Sequence, residues 1–206
     1  MKTLLQVNSS LFGENGQSTR LSEQFVAAWQ QAHPQGRVIS RSLAASPVPH
    51  LDGARFGAFL SKPEDRTPEQ QQVVDFSDSL IEELRAADVI VLGVPLYNFG
   101  VPSQLKAWFD HVARAGVTFR YTENGPVGLL GNKKVYVFAT RGGLYAGTPK
   151  DTASAWLRDI LGFIGLTDVE IVYAEGLSLG EDSQKASLAR AQDEVRQLVE
   201  PLRAAA

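Results

Sequence analysis

"ADVIVLGVPLYNFGVPSQLKAWFDHV", residues 87–112, runs from an apolar stretch into a turn bounded by Pro95, Gly100 and Pro102, and then into a helical pattern. Residues 88 to 94 are mostly aliphatic, which suits a strand buried on both faces, and Leu105, Trp108, Phe109 and Val112 recur at the spacing of a helix packed against it. Pro102 sits where proline is tolerated, in the first helical turn. The unit is strand, turn, helix. Outward from it the pairing repeats: strands are expected over residues 3–8, 37–41, 88–94, 134–140 and 169–174, and helices over 18–33, 68–86, 102–114, 151–164 and 183–203. Parallel strands need crossover connections, and right-handed crossovers place helices on both faces of the sheet. The expected fold is α/β, a doubly wound five-stranded parallel sheet in one domain over residues 1–206.

Local signals support the boundaries. Thr67-Pro68-Glu69-Gln70 combines an N-cap, a first-turn proline and a capping-box glutamine. On the helix that follows, Val73, Phe76, Leu80 and Leu84 form the expected core stripe, and Gly116 and Gly165 fall where helices should stop. Residues 42–66 and 115–133 are longer than ordinary connections, so they are expected to be lids or interface elements.

Composition narrows the function. With 206 residues, 44% apolar and 21% charged, the chain has the make-up of an ordinary globular domain, and its formal net charge of -3 disfavours nucleic acid as a partner. It contains no cysteine, which removes disulfides and thiolate chemistry. Met1 to Thr3 lead directly into the first strand, and no apolar stretch reaches membrane-spanning length. A cytoplasmic protein is expected, with no membrane partner. His33, His50 and His111 show no metal-ligand spacing and no Ser-His-Asp arrangement is legible, so no metal and no catalytic side chain is expected.

In the doubly wound order 2-1-3-4-5 ligands bind beyond the carboxyl ends of the strands, between strands one and three. Three loops should meet there. The first, "NSSLFGENGQSTRLS", offers the hydroxyls of Ser9, Ser10, Ser18 and Thr19, two glycines, and the N-terminus of a helix. Walker and dinucleotide glycine patterns are both missing, which favours a single phosphate. Alternatively, these hydroxyls merely cap the helix. In the second loop Tyr97 and Phe99 would be costly to leave in water and suit a flat ring system, with Asn98 as donor and acceptor, or else the aromatics fold back over a helix. In the third, "ATRGGLYAGTP", Gly142 and Gly143 permit positive φ and close backbone approach, Thr140 and Arg141 add donors, and Tyr145 can stack, unless Arg141 is only a surface charge.

The segments "SS…GQS", "PLYNFGVPSQLKAWFDHVARAGVTFRYTENGPVGLLGNKK", "TRGG" and "LGFIGLTDVEIVYAEG" together resemble the FMN-dependent NADH azoreductases, which are also NAD(P)H:quinone oxidoreductases. The likeness runs from Ser9 to about Gly176. It implies a flavodoxin-like homodimer with one FMN per subunit and both active sites at the interface. By the same resemblance Ser10, Gly16, Gln17 and Ser18 hold the phosphate and ribityl end, and the backbone from Pro95 and Leu96 through Tyr97, Asn98 and Phe99 lines the ring. Thr140, Arg141, Gly142 and Gly143 flank its pyrimidine side, with Tyr145 near. Phe99, Tyr121 and Phe163 shape the substrate pocket, the last two at least partly from the partner. Relatives often carry Ser for Gly16, Met for Leu96, Ser for Thr140 and His for Tyr145. The implied reaction moves hydride from NADH or NADPH through FMN to quinones or azo compounds in alternating half-reactions. Two rivals share the topology. A flavodoxin-type electron carrier would present a strongly acidic docking face. A phosphoacceptor receiver needs an aspartate ending strand three, where this chain has Val94-Pro95.

Overall fold

The computed structural model describes residues 1–131 and 133–204. In chain order its elements are β1 (Thr3–Asn8), α1 (Gln17–Ala32), β2 (Arg37–Ser42), α2 (Gly53–Leu60), α3 (Pro68–Ala86), β3 (Val89–Pro95), α4 (Ser103–Val112), β4 (Phe119–Thr122), β5 (Gly125–Gly128), β6 (Lys134–Thr140), α5 (Thr152–Phe163), β7 (Asp168–Ala174) and α6 (Glu181–Ala204). The main sheet is parallel throughout in the order β2-β1-β3-β6-β7, which is the expected 2-1-3-4-5 once the separate β4-β5 hairpin is set aside.

Alternating side chains of the central strands feed two cores. Leu5, Val7, Ile90, Leu92, Val135 and Val137 pack under α3, α4 and α5, whereas Leu4, Val91, Phe138 and Val172 pack under α1 and α6. Each such buried aliphatic contributes about 1.5–3 kcal/mol over leaving it exposed. Gly93 then sets where α1 begins. A Cβ there would lie 2.6 Å from Asn8 Oδ1 and 3.2 Å from the Ser18 carbonyl, so the missing side chain lets the head of α1 press against β3. Asn8 Oδ1 in turn accepts the Ser22 hydroxyl at 2.7 Å, and Ser22 Oγ accepts Gln6 Nε2 at 3.0 Å, which ties α1 to β1.

The capping box at Thr67 and Gln70 is formed in both directions. Gly165, at φ +95°, closes α5 as anticipated: its N–H reaches Gly162 O at 3.0 Å and the Leu166 N–H reaches Leu161 O at 2.8 Å. Two expectations need correction. The buried face of α3 is Val74, Ser77, Leu80, Ile81 and Leu84, not the stripe through Val73 and Phe76. Phe76 is 36% exposed and meets the His111 ring edge-on, because α2 and α4 flank α3 and draw an aromatic outside the sheet core. Gly116, at φ +76°, does not end α4, which stops at Val112; its N–H bonds Phe119 O at 2.7 Å and opens the β4-β5 hairpin. The two long connections expected to be lids or interface elements carry structure of their own: α2, capped by Asp52 Oδ1 on the Arg55 N–H at 2.8 Å, and the hairpin. His111 is buried with Nδ1 donating to Ala107 O at 3.0 Å, and burial holds its pKa below the usual histidine value.

Candidate functional site

At the carboxyl edge of the sheet a crevice of about 430 Å³ lies between the loops that follow β1, β3, β6 and β7. Its walls come from Ser10, Asn15, Gly16 and Gln17, from Pro95, Leu96 and Tyr97, from Thr140, Arg141 and Gly142, and from Leu177 and Ser178. The volume suits a small-molecule ligand, and the place is the strand-order switch point. A larger hollow of about 670 Å³ opens at the opposite edge. Two of its three lysines are engaged, however: Lys133 Nζ donates to the carbonyls of Arg85 and Ala87, and Lys134 Nζ pairs with Asp168 and Glu170.

The first loop is shaped for an anion. Gly16 is the N-cap of α1 and supplies no side-chain cap, and no acidic residue stands in the first turn. The first intrahelical bond is made by the Arg20 N–H to Gly16 O at 3.0 Å, so the amides of Gln17, Ser18 and Thr19 precede the helical ladder and face outward. The hydroxyls of Ser18 and Thr19 are buried with no partner among the described residues. Ser10 Oγ accepts the Phe12 N–H at 3.2 Å, and a Cβ on Gly16 would lie 2.2 Å from it. These hydroxyls therefore do not cap α1, which sets the capping alternative aside. What is left is a bare helix N-terminus, equivalent to roughly half a positive charge, with no glycine side chain in front of it. Apart from Arg141, no lysine or arginine is among the described residues of the crevice wall.

The second loop is a strained hairpin turn. Tyr97 and Gly100 exchange backbone hydrogen bonds at 3.0 and 2.9 Å, and the two central residues, Asn98 and Phe99, have φ of 48° and 63°. That is the type I′ geometry, which favours Asn-Gly; a bulky residue in the left-handed region costs about 1–2 kcal/mol. Tyr97 Oη lies 3.5 Å from Ser10 Oγ and accepts the Leu11 N–H at 3.4 Å, so the ring bridges two loops. Phe99 is 52% exposed and stands edge-on to Tyr145 at 5.6 Å, which is not the posture of an aromatic folded into the core. Strain maintained at an exposed aromatic points to function. Replacing Phe99 by Gly is accordingly expected to raise the melting stability of the ligand-free protein by about 1 kcal/mol, by supplying the preferred Asn-Gly turn, while lowering turnover. Thermal melts beside activity assays check both signs; a loss of stability would instead make the ring a packing element.

The third loop departs from expectation at Arg141. Its side chain is fully buried and turned away from the crevice, with Nη2 donating to Asp151 Oδ1 at 2.7 Å and to Ser154 Oγ at 2.8 Å. It is not a surface charge, because the head of α5 brings the Asp151 carboxylate against it; Nη2 is engaged, whereas Nε and Nη1 have no hydrogen-bond partner among the described residues. Its backbone is engaged as well, with N–H to Ala174 O at 2.9 Å and C=O accepting from Leu177 at 3.1 Å. Gly142 and Gly143 do not take positive φ. Their missing Cβ atoms make room for the chain's own groups: a Cβ would be 2.9 Å from Ser178 Oγ at Gly142 and 2.7 Å from the Tyr145 hydroxyl at Gly143.

The structure thus brings Ser10, Gly16, Gln17, Pro95, Leu96, Tyr97, Thr140, Arg141 and Gly142 to the crevice wall. Ser18 lies buried beneath it, and Asn98, Phe99, Gly143 and Tyr145 adjoin it in the same loops. Tyr121 and Phe163 are not part of it in this chain. Tyr121 is 72% exposed on β4, edge-on to Phe119 at 5.5 Å, and Phe163 packs on Phe119 at 4.1 Å. Leu177 and Ser178 were not anticipated. They follow the fifth parallel strand, and the glycines at 176 and 180, both at positive φ, were the available signal.

An open parallel sheet in this order, with an anion cradle and an aromatic turn at its switch point, defines the flavodoxin-like class of ligand-binding domains. Comparison with known proteins agrees: the family model described as "Flavodoxin-like fold" matches residues 1–199. The FMN-dependent NADH:quinone oxidoreductase of Cellvibrio japonicus is 56% identical over 197 residues, covering 96% of this chain and 98% of that protein. Its counterpart in Alcanivorax borkumensis is 55% identical over 192 residues, covering 93% and 97%. A crystal structure of azoreductase from Bacillus anthracis superposes with a TM-score of 0.89 at 29% identity, covering 98% of this chain and 100% of that one. The chain belongs to the flavodoxin-like family and, within it, to the FMN-dependent NADH:quinone oxidoreductases.

Proposed function

We propose that the crevice binds FMN and that the protein uses it to oxidise NADH, or NADPH, and reduce quinones and azo compounds. The observation that carries this is the uncapped head of α1 with the orphaned Ser18 hydroxyl at one lip of a crevice whose other lip is the strained Tyr97–Phe99 turn. The residues present fit the group. Gln17 and Ser18, with Ser10, would hold the phosphate on backbone amides and hydroxyls, and Gly16 keeps the approach open. Pro95 to Phe99 and Thr140 to Gly143 would lie along the ring. When bound, FMN accepts a hydride from the nicotinamide and delivers it to the acceptor. The chain itself binds, orients and shields from water, and no side chain is assigned as an acid or base. Donor and acceptor use the one crevice in turn, giving ping-pong kinetics.

A homodimer completes the site: Tyr121 and Phe163, remote from the crevice of their own chain, would reach the partner's. The exposed Tyr121 beside Phe56 and Phe59, around a hollow of about 290 Å³, suits such an apolar contact. A reducing cytoplasmic setting accords with the lack of cysteine and with the donor. The test is an absorption spectrum of the protein loaded with FMN, followed by anaerobic NADH titration and then steady-state rates with a quinone. Bleaching of the bound flavin and parallel double-reciprocal lines are expected. Protein that takes up no FMN overturns the proposal, and bound FMN that NADH does not reduce would make it an electron carrier.

A further inference from the structure

Two walls of the crevice are joined behind it, at the head of α5. The buried Arg141 guanidinium bonds Asp151 and Ser154, lies over the Tyr173 ring at 5.4 Å, and brings Nε to 3.9 Å from Glu175 Oε1. Asp151 is the N-cap of α5, where its Oδ1 also accepts the Ser154 N–H at 3.3 Å. The next residue, Thr152, donates its hydroxyl to the carbonyl of Phe99, the second strained residue of the turn after β3. On the other side Glu175 Oε1 accepts the N–H groups of Tyr145 and Ala146, both at 2.7 Å, and so holds the loop after β6. One buried cation thus connects to both loops, through Asp151 and Thr152 to one and through Glu175 to the other.

We infer that Arg141, Asp151 and Thr152 form a positioning unit that sets the aromatic turn against the loop at 142–146. The inference rests on the proposed function, in which FMN lies between these two walls, and the unit acts on the cofactor only through them. Two physical points favour registry over plain stability. A buried ion pair is weak evidence for stability and often replaceable by apolar packing, and this one leaves Nε and Nη1 of Arg141 without hydrogen bonds. Second, two consecutive left-handed residues, one of them Phe, persist only where the surroundings over-determine them, and the Thr152 hydroxyl is a tether from a rigid element to that turn.

Thr152→Val removes the donor at nearly constant shape and leaves the ion pair in place; Thr152→Ser should restore it. In flavin-free protein the Gly100 amide, bonded to Tyr97 O, is expected to exchange about fivefold faster in Thr152→Val and normally in Thr152→Ser. In FMN-loaded protein the same variant should lose roughly tenfold in kcat per bound flavin and alter the visible circular dichroism. Arg141→Lys, which cannot bridge two partners as a guanidinium does, should in addition speed exchange at Tyr145 and Ala146. If Arg141→Lys does not fold, Thr152→Val decides. Unchanged exchange, or faster exchange with normal turnover and dichroism, overturns the positioning unit. Wild-type protein that binds no FMN overturns the proposed function instead, and the exchange data then judge the tether alone.

Discussion

Gln17→Glu is expected to make the flavin-free protein more stable and its FMN complex much weaker, opposite changes from one nearly isosteric substitution. Gln17 is the first residue of α1, whose N-terminus has neither a side-chain cap nor an acidic first turn. A carboxylate placed there complements the helix dipole and should add about 0.3–1 kcal/mol. The same charge faces the place assigned to the phosphate. At about 5 Å and an effective dielectric of about 20, two unit charges repel by roughly 3 kcal/mol, which is over a hundredfold in affinity. Thermal melts without flavin and a fluorescence titration with FMN measure the two terms separately. If the α1 N-terminus were simply an uncapped helix end, stability would rise and FMN affinity would stay as it was.

The other large effect is expected outside the crevice wall, at Gly128→Ala. A Cβ on Gly128 would lie 2.0 Å from Gly165 N and 2.3 Å from Gly165 Cα and Ile164 C, all backbone atoms that cannot rotate aside. Here the hairpin crosses the end of α5, held by the Leu130 N–H on Ile164 O at 3.0 Å, while Gly165 sits at φ +95°. Overpacking of this kind is expected to cost about 3 kcal/mol, which lowers the melting temperature of a domain this size by roughly 6–12 °C. Because the hairpin carries Tyr121, turnover and dimer formation should fall further than FMN affinity, which depends on other loops. Gly131→Ala is the control, since its Cβ would meet Gly165 O at an ordinary 3.6 Å. A variant at Gly128 that melts like the parent would show that the hairpin is free to shift away from α5.

Both effects come from features that differ in how visible they are along the chain. The bare helix start at Gly16 and Ser18 was legible, because a glycine and hydroxyl cluster between a strand and a helix is a local pattern and its place at the sheet edge follows from topology. The Gly128 contact was not, since it exists only where residues 128 and 165 meet, and Phe76 illustrates the same limit: its helical spacing is right for a core stripe, but neighbours outside the sheet drew it away.

The amino-acid order alone determined the strands, the main helices and a doubly wound parallel sheet, because apolar periodicity, capping and crossover handedness act over short spans; the strand sequence 2-1-3-4-5, and with it three of the four loops that line the crevice, came from taking the flavodoxin-like order. Tertiary structure decided where polar side chains point. Arg141 has donors enough for any ligand, yet it turns inward because the α5 crossover sets Asp151 beside it and β7 sets Glu175 near. Charge desolvation makes that choice: a guanidinium out of water settles on the carboxylates the fold brings to it, and no local stretch of sequence records which those are.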